Sequence, residues 1–234
     1  MCSSDLTKIR TLCPKNGAAP IATDTVPSVA APVGVASSVT GKVDLIAVGS
    51  STGGPNALSE LFSRLPADLP VPIVIVQHMP PVFTKHLAER LTSESDVTVH
   101  EAKAGDRLAP GEAWIAPGDY HMTLSRRLAA VHVELNQGPP ENSCRPSVDV
   151  LFRSVNQIYR NRSIGVILTG MGEDGLKGAR AMHDSGCRIV VQDQASSVVW
   201  GMPGAVSAAG LASAALTPVD LASEMIRTAK AGRA

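Results

Sequence analysis

From Val43 onward, short apolar runs alternate with stretches of helical period, and that alternation leaves few folds open. Val43–Val48, Pro72–Gln77, Ile164–Thr169 and Arg188–Gln192 are short, apolar and rich in Val and Ile. Runs that are apolar at every position suit strands buried on both faces, which is the habit of parallel sheets covered by helices. Between them lie helical patterns. Leu58, Leu61, Phe62 and Leu65 recur at i, i+3, i+4, i+7, and Phe83, Leu87 and Leu91 form a second stripe. Ser147 reads as the cap of a helix whose Val148, Leu151, Phe152, Val155 and Ile158 face the core. A further helix runs from about Gly175 to Gly186, and Thr217-Pro218-Val219-Asp220 opens the last one with a cap, Pro at N1 and a capping-box acid. The pattern predicts an α/β fold: a three-layer, doubly wound, mainly parallel sheet with helices on both faces. The middle is less regular, with β segments near Val97–Val99, Trp114–Ala116 and Leu128–Leu135 broken by Gly105, Gly111 and Pro117-Gly118. A small β-hairpin region is expected there.

The domain that this predicts spans 43–232, ample for a buried core in a chain of 234 residues. Residues 14–42 read as a linker rich in Pro, Ala and Ser, preceded by a residual helix over Asp5–Leu12. Lys and Arg number 21, Asp and Glu 21, and aromatics are only 3% of residues. Neither the charge balance nor the aromatic content favours a nucleic-acid surface. No apolar window is long enough to span a bilayer, so no membrane insertion is expected, and a reduced cytoplasmic setting suits the cysteines. Cys2 and Cys13 lie in the N-terminal tail. Cys144 and Cys187 stand alone without C-x-x-C spacing, and read as filler or bystanders rather than nucleophiles or metal ligands.

The first apolar run ends in Gly49-Ser50-Ser51-Thr52-Gly53, which fits G-x-S-x-G with Ser51 at its centre. That pattern makes a sharp strand-to-helix turn in which the serine hydroxyl stands clear and backbone N–H groups converge nearby. The bland alternative is a glycine-rich helix cap. Two further runs also end in chemistry-bearing groups: His78 follows the second, and Asp174 follows the third. In open parallel sheets the carboxyl ends of strands form the ligand edge, so a nucleophile, a base and an orienting carboxylate are expected on one rim. Taken singly, His78 reads equally as a structural residue and Asp174 as a helix cap. The order Ser, His, Asp differs from that of α/β-hydrolases. His86, His100, His121, His132 and His183 share no metal-ligand spacing and read as surface or packing residues. A phosphate-binding module is a rival reading, but G-x-x-x-x-G-K-[ST] is missing; an inert docking domain is a third.

Gly-Ser-Ser-Thr-Gly-Gly-Pro, Val-Gln-His-Met-Pro, Arg145-Pro-Ser-Val-Asp-Val-Leu-Phe152, Leu-Thr-Gly-Met-Gly-Glu-Asp-Gly and Val199-Trp-Gly-Met-Pro203 follow one another in the chain. This series resembles the motifs of the chemotaxis-receptor methylesterase catalytic domain, over about residues 43–230. The resemblance implies hydrolysis of glutamate γ-methyl esters on the cytoplasmic helices of chemoreceptors, with deamidation of receptor glutamines. It implies Ser51 as nucleophile, His78 as base and then acid, and Asp174 as orienter, with no cofactor or metal. It places Thr52, Met171, Arg145 and Met202 around the oxyanion site and substrate groove. Relatives carry an N-terminal receiver domain that this sequence lacks, so activity without a phosphoryl donor is expected. With an ordinary imidazole pKa of ~6.5, kcat/KM should fall below about pH 6 to 7.

Overall fold

The computed structural model describes residues 42–231 and 233. The expected helix at Asp5–Leu12 and, apart from Lys42, the linker at 14–42 lie outside the described residues. Seven strands form one sheet in which every pairing is parallel: β1 (Leu45–Ser50), β2 (Ile73–Gln77), β3 (Thr98–Glu101), β4 (Glu112–Ile115), β7 (Ser163–Ile167), β8 (Arg188–Gln192) and β9 (Ala214–Leu216). Their order is β3-β4-β2-β1-β7-β8-β9. A separate antiparallel hairpin, β5 (His121–Arg127) with β6 (Ala130–Asn136), turns at Leu128 and Ala129.

Among the described residues six α-helices cover the sheet: α1 (Gly54–Phe62), α2 (Phe83–Glu94), α3 (Val148–Tyr159), α4 (Leu176–Asp184), α5 (Met202–Ala208) and α6 (Pro218–Lys230). The strand residues divide between two cores by alternation. Ile46, Val48, Ile73, Ile75, Ile164 and Val166 pack with α1, α2 and α6. Leu45, Ala47, Val74, Val76 and Ile167 pack with α3, α4, α5 and the hairpin. Successive side chains of a strand point to opposite faces, so a run apolar at every position feeds both cores.

Several expectations need correction. Only one hairpin forms in the middle. The segments near Val97 and Trp114 instead become β3 and β4, which extend the main sheet on the far side of β2. Both are short, and their turn-rich flanks resemble hairpin punctuation although the connections are crossovers. The short strand β9 and helix α5 carried too few periodic residues to be read. Phe83 is 59% exposed rather than core-facing, and the first buried residue of α2 is Thr84. Ser147 sits at the N-cap of α3, yet its side chain does not cap that helix.

The chain crosses from β1 to β2 on one side and returns at β7 on the other. That reversal puts a crevice at the carboxyl ends of β2, β1 and β7, where ligands bind in doubly wound sheets.

Candidate active site

Ser50 pairs in register with Gln77, and the His78 N–H donates to the Ser50 carbonyl at 3.0 Å. Ser51 and His78 therefore leave the sheet side by side. On the other flank the Ser51 N–H donates to Thr169 O at 3.0 Å, and Asp174 lies five residues beyond Thr169. The strands carrying His78 and Asp174 are the two neighbours of the strand carrying Ser51. Across that gap His78 Nε2 donates to Asp174 Oδ2 at 2.8 Å.

The two serines of the turn face different surroundings. Ser50 is fully buried and its hydroxyl donates to Gln77 Oε1 at 2.7 Å. Gln77 Nε2 in turn donates to the carbonyls of Ser51 and His78, both at 3.0 Å, tying the two strand ends together. Ser51 is half-buried, and its hydroxyl has no hydrogen-bond partner among the described residues. Gly53 has φ +82°, a conformation that turns the chain into α1 and that only glycine adopts without strain.

Asp174 is held by six donors. Oδ2 accepts from His78 and, at 2.7 Å, from the Val148 N–H. Oδ1 accepts from Asn142 Nδ2, the Ser147 hydroxyl, Asp149 N and Gly175 N. The carboxylate thus caps α3, the role expected of Ser147, and receives the positive end of that helix as well. Burial alone would raise its pKa, but these hydrogen bonds, His78 foremost, bring it down to about 2. Burial would likewise lower the pKa of His78, but its hydrogen bonds to Asp174 and Cys144, with the Asp174 charge, carry it up to about 9. In this pose the ring is an imidazolium at neutral pH. That departs from the ordinary value of ~6.5 assumed from sequence.

The Cys144 thiol lies 3.6 Å from His78 Nδ1, the nitrogen turned away from Asp174. The cysteine read as a bystander therefore touches the central ring, and no spacing in the sequence signals it. Cys187 is buried filler, its pKa raised by that burial. Asn142, which bridges Asp174 and the buried Asp149, and Gln77 were missed for the same reason. Asp149 is fully buried, and its pKa is raised, chiefly by that burial. His121 is also buried: its Nε2 donates to Pro139 O and its Nδ1 accepts from Ser147 N.

The four groove residues behave differently from one another. Thr52 is exposed at the turn, with its carbonyl accepting from Thr169 Oγ1. Met171 is 67% exposed on the loop after β7. The N–H groups of Thr52 and Met171 have no acceptor among the described residues, so both remain available to an incoming anion. Arg145 lines the cleft beside His78, but its guanidinium is committed to Asp119 at 2.6 Å and to the carbonyls of Gln137 and Gly138. Met202 is not a groove residue: it is fully buried at the start of α5. A Cβ on Gly170 would fall 2.4 Å from Met202 Sδ and 2.8 Å from Ser51 Cβ, so this methionine supports the Gly170 turn from beneath. The Gly201 and Met202 N–H groups both donate to Gly170 O, fixing that turn against β1.

His78, Cys144 and Asp174 could offer three ligand atoms within 4.8 Å of one another to a cation. The carboxylate, with about four lone-pair sites, is already saturated by its six donors and suits ring orientation better than metal binding.

Residues 46–225 match the family model described as CheB methylesterase. A protein-glutamate methylesterase/protein-glutamine glutaminase of Trichodesmium erythraeum is 57% identical over 186 residues, 80% of this chain and 53% of that protein. One of the same name from Maricaulis maris is 50% identical over 193 residues, covering 82% and 48%. The chain thus spans about half the length of the curated relatives it matches. The CheB methylesterase catalytic domain of Thermotoga maritima superposes with a TM-score of 0.78 at 41% identity, covering 80% of this chain and 99% of that one. The motifs, the parallel sheet and the match across most of the described residues agree: the chain belongs to the CheB methylesterase family.

Proposed function

We propose that this chain hydrolyses γ-methyl esters of glutamate on chemoreceptor helices, and deamidates receptor glutamines, with Ser51 as nucleophile. The observation that carries this reading is the His78–Asp174 bond, 2.8 Å long, spanning the end of the strand that presents Ser51. The names of the relatives support the choice of a glutamyl side-chain ester and amide as substrates.

Ser51 Oγ attacks the side-chain carbonyl while neutral His78 takes its proton at Nδ1. Asp174 keeps Nε2 protonated and the ring oriented. The oxyanion is received by the Thr52 and Met171 N–H groups, and losing one such donor typically costs on the order of 10²–10³ in kcat. His78 returns the proton to the leaving oxygen or nitrogen, so methanol or ammonia departs. Water then attacks the acyl-serine with the same ring as base.

In the resting pose Nδ1 faces Cys144 instead. The base must therefore lose its proton and release the thiol before it serves Ser51. The test measures methanol release from methylated receptor by this chain and by Ser51→Ala. We expect the variant to fall to background with its fold unchanged; equal rates would remove the proposal. Labelling with a serine-directed phosphonate separates this reading from an anion-binding module, since only an activated hydroxyl reacts.

A further inference from the structure

The proposed reaction leaves the Cys144 thiol without a task, although that thiol stands 3.6 Å from the base and the base is anchored by Asp174. Thiol, imidazole and carboxylate form a continuous file, the arrangement that converts a thiol into a thiolate. Cys144 is half-buried and opens on a cleft of about 340 Å³ whose other walls include Met79, Pro80, Pro81 and Arg145. Nearby charges are otherwise spoken for. Asp119 and Arg145 pair with each other, and Glu141, whose backbone pairs with that of Cys144, is bound by Arg153. Asp174 reaches the thiol only through the ring. Among the described residues, His78 is thus the cation available to a thiolate at Cys144.

The file does not make Cys144 a second acyl acceptor. Its own N–H is spent on Glu141 O at 2.8 Å, and the free N–H groups belong to Thr52 and Met171 beside Ser51. Attack on sulfur needs no oxyanion donors. We propose that Cys144 is a covalent modification site that takes low-molecular-weight disulfides by thiol–disulfide exchange, and that the adduct silences the neighbouring serine site. The Cys144 proton leaves to solvent, the His78 imidazolium stabilises the thiolate left behind, and that thiolate attacks one sulfur of the disulfide. A new S–S bond forms as the old one breaks, and the departing thiolate takes a proton from solvent. Cys144 is oxidised and the small disulfide is reduced to one thiol. The half-disulfide then fills the cleft against the imidazole and holds Nδ1 away from Ser51. Only this last consequence rests on the serine-esterase reading.

The chain is treated at pH 6.5 with cystamine and, in a parallel arm, with oxidised glutathione, and adducts are located by peptide mass spectrometry. Exchange at this pH is limited by the thiolate fraction, which an adjacent imidazolium favours. Cys144 should therefore react several-fold faster than a cysteine in an unstructured peptide, with buried Cys187 unlabelled. His78→Gln, checked to be folded by a single cooperative melting transition above the assay temperature, should return the rate to that of the peptide. Ester hydrolysis should fall in step with Cys144 occupancy and recover with dithiothreitol, whereas Cys144→Ala takes no adduct there and its rate ignores the reagent. Labelling at Cys144 no faster than the peptide, or full labelling with hydrolysis undiminished, overturns the proposal. If the untreated chain hydrolyses no ester, the serine reading fails alone, while the labelling ratio still decides whether the thiol is activated.

Discussion

Ser50 and Ser51 are adjacent and chemically identical, yet the fold gives them unrelated tasks. Ser50→Ala should keep most of the hydrolytic rate while losing about 1 kcal/mol of stability, since a buried hydroxyl bond is removed and Gln77 still holds both strand ends. Urea unfolding alongside the rate assay checks this. For His78 the sign is set by a pKa held at about 9 in the resting pose. The catalytic base must be neutral, so kcat/KM should rise from pH 6 toward pH 9 rather than level off near 7. Cys144→Ala, which removes one partner that favours the charged ring, should move that acid limb to lower pH; a limb that stays put would show that the thiol contact is not felt by the base. Ser51, His78 and Asp174 were legible because each lies within five residues of the end of an apolar run. Cys144 and Asn142 were not, because they come from an irregular loop whose path no periodicity describes.

At the scale of elements, the site depends on how closely the Gly170 turn approaches β1. Gly170→Ala would place a methyl group against Met202 Sδ and Ser51 Cβ. Overpacking of this kind costs roughly 1–3 kcal/mol. Because the displaced atoms include the nucleophile's own Cβ and the neighbour of the Met171 N–H, kcat should fall at least tenfold with KM changed little, measured by steady-state hydrolysis. By contrast Met202→Ala removes support from beneath and should appear mainly as lost stability, roughly 2–5 kcal/mol for a fully buried methionine. The Val199-Trp-Gly-Met-Pro203 segment was legible as a motif, but its action as a clamp beneath Gly170 depends on a contact between residues some thirty positions apart. The helix opening at Thr217 was fully legible: the Thr217 hydroxyl accepts from the Asp220 N–H, and only local spacing was needed.

For the whole molecule, the His78–Asp174 pair links stability to pH at both ends. Asp174 has a folded pKa of about 2, below its ordinary value, so its contribution is present above about pH 4 and is lost as pH falls through 2. His78 has a folded pKa of about 9, above its ordinary value, so its contribution is present below about pH 6.5 and fades as pH rises through 9. These are two views of one interaction and count once. Denaturant midpoints should show wild type losing on the order of 2–3 kcal/mol relative to His78→Gln between pH 6.5 and 9.5; parallel curves would contradict the pair's strength.

The local sequence determined the layered parallel architecture, because burial on both faces demands strands apolar at every position and such runs are visible one residue at a time. It also put a serine, a histidine and an aspartate on the same rim, since strand ends share a rim in any parallel sheet. Which nitrogen of His78 faces which partner, which helix the Asp174 carboxylate caps, and which sulfur meets the ring were decided only by tertiary structure. Those contacts join residues up to 96 positions apart, and their geometry follows from how the crossovers pack rather than from any local preference.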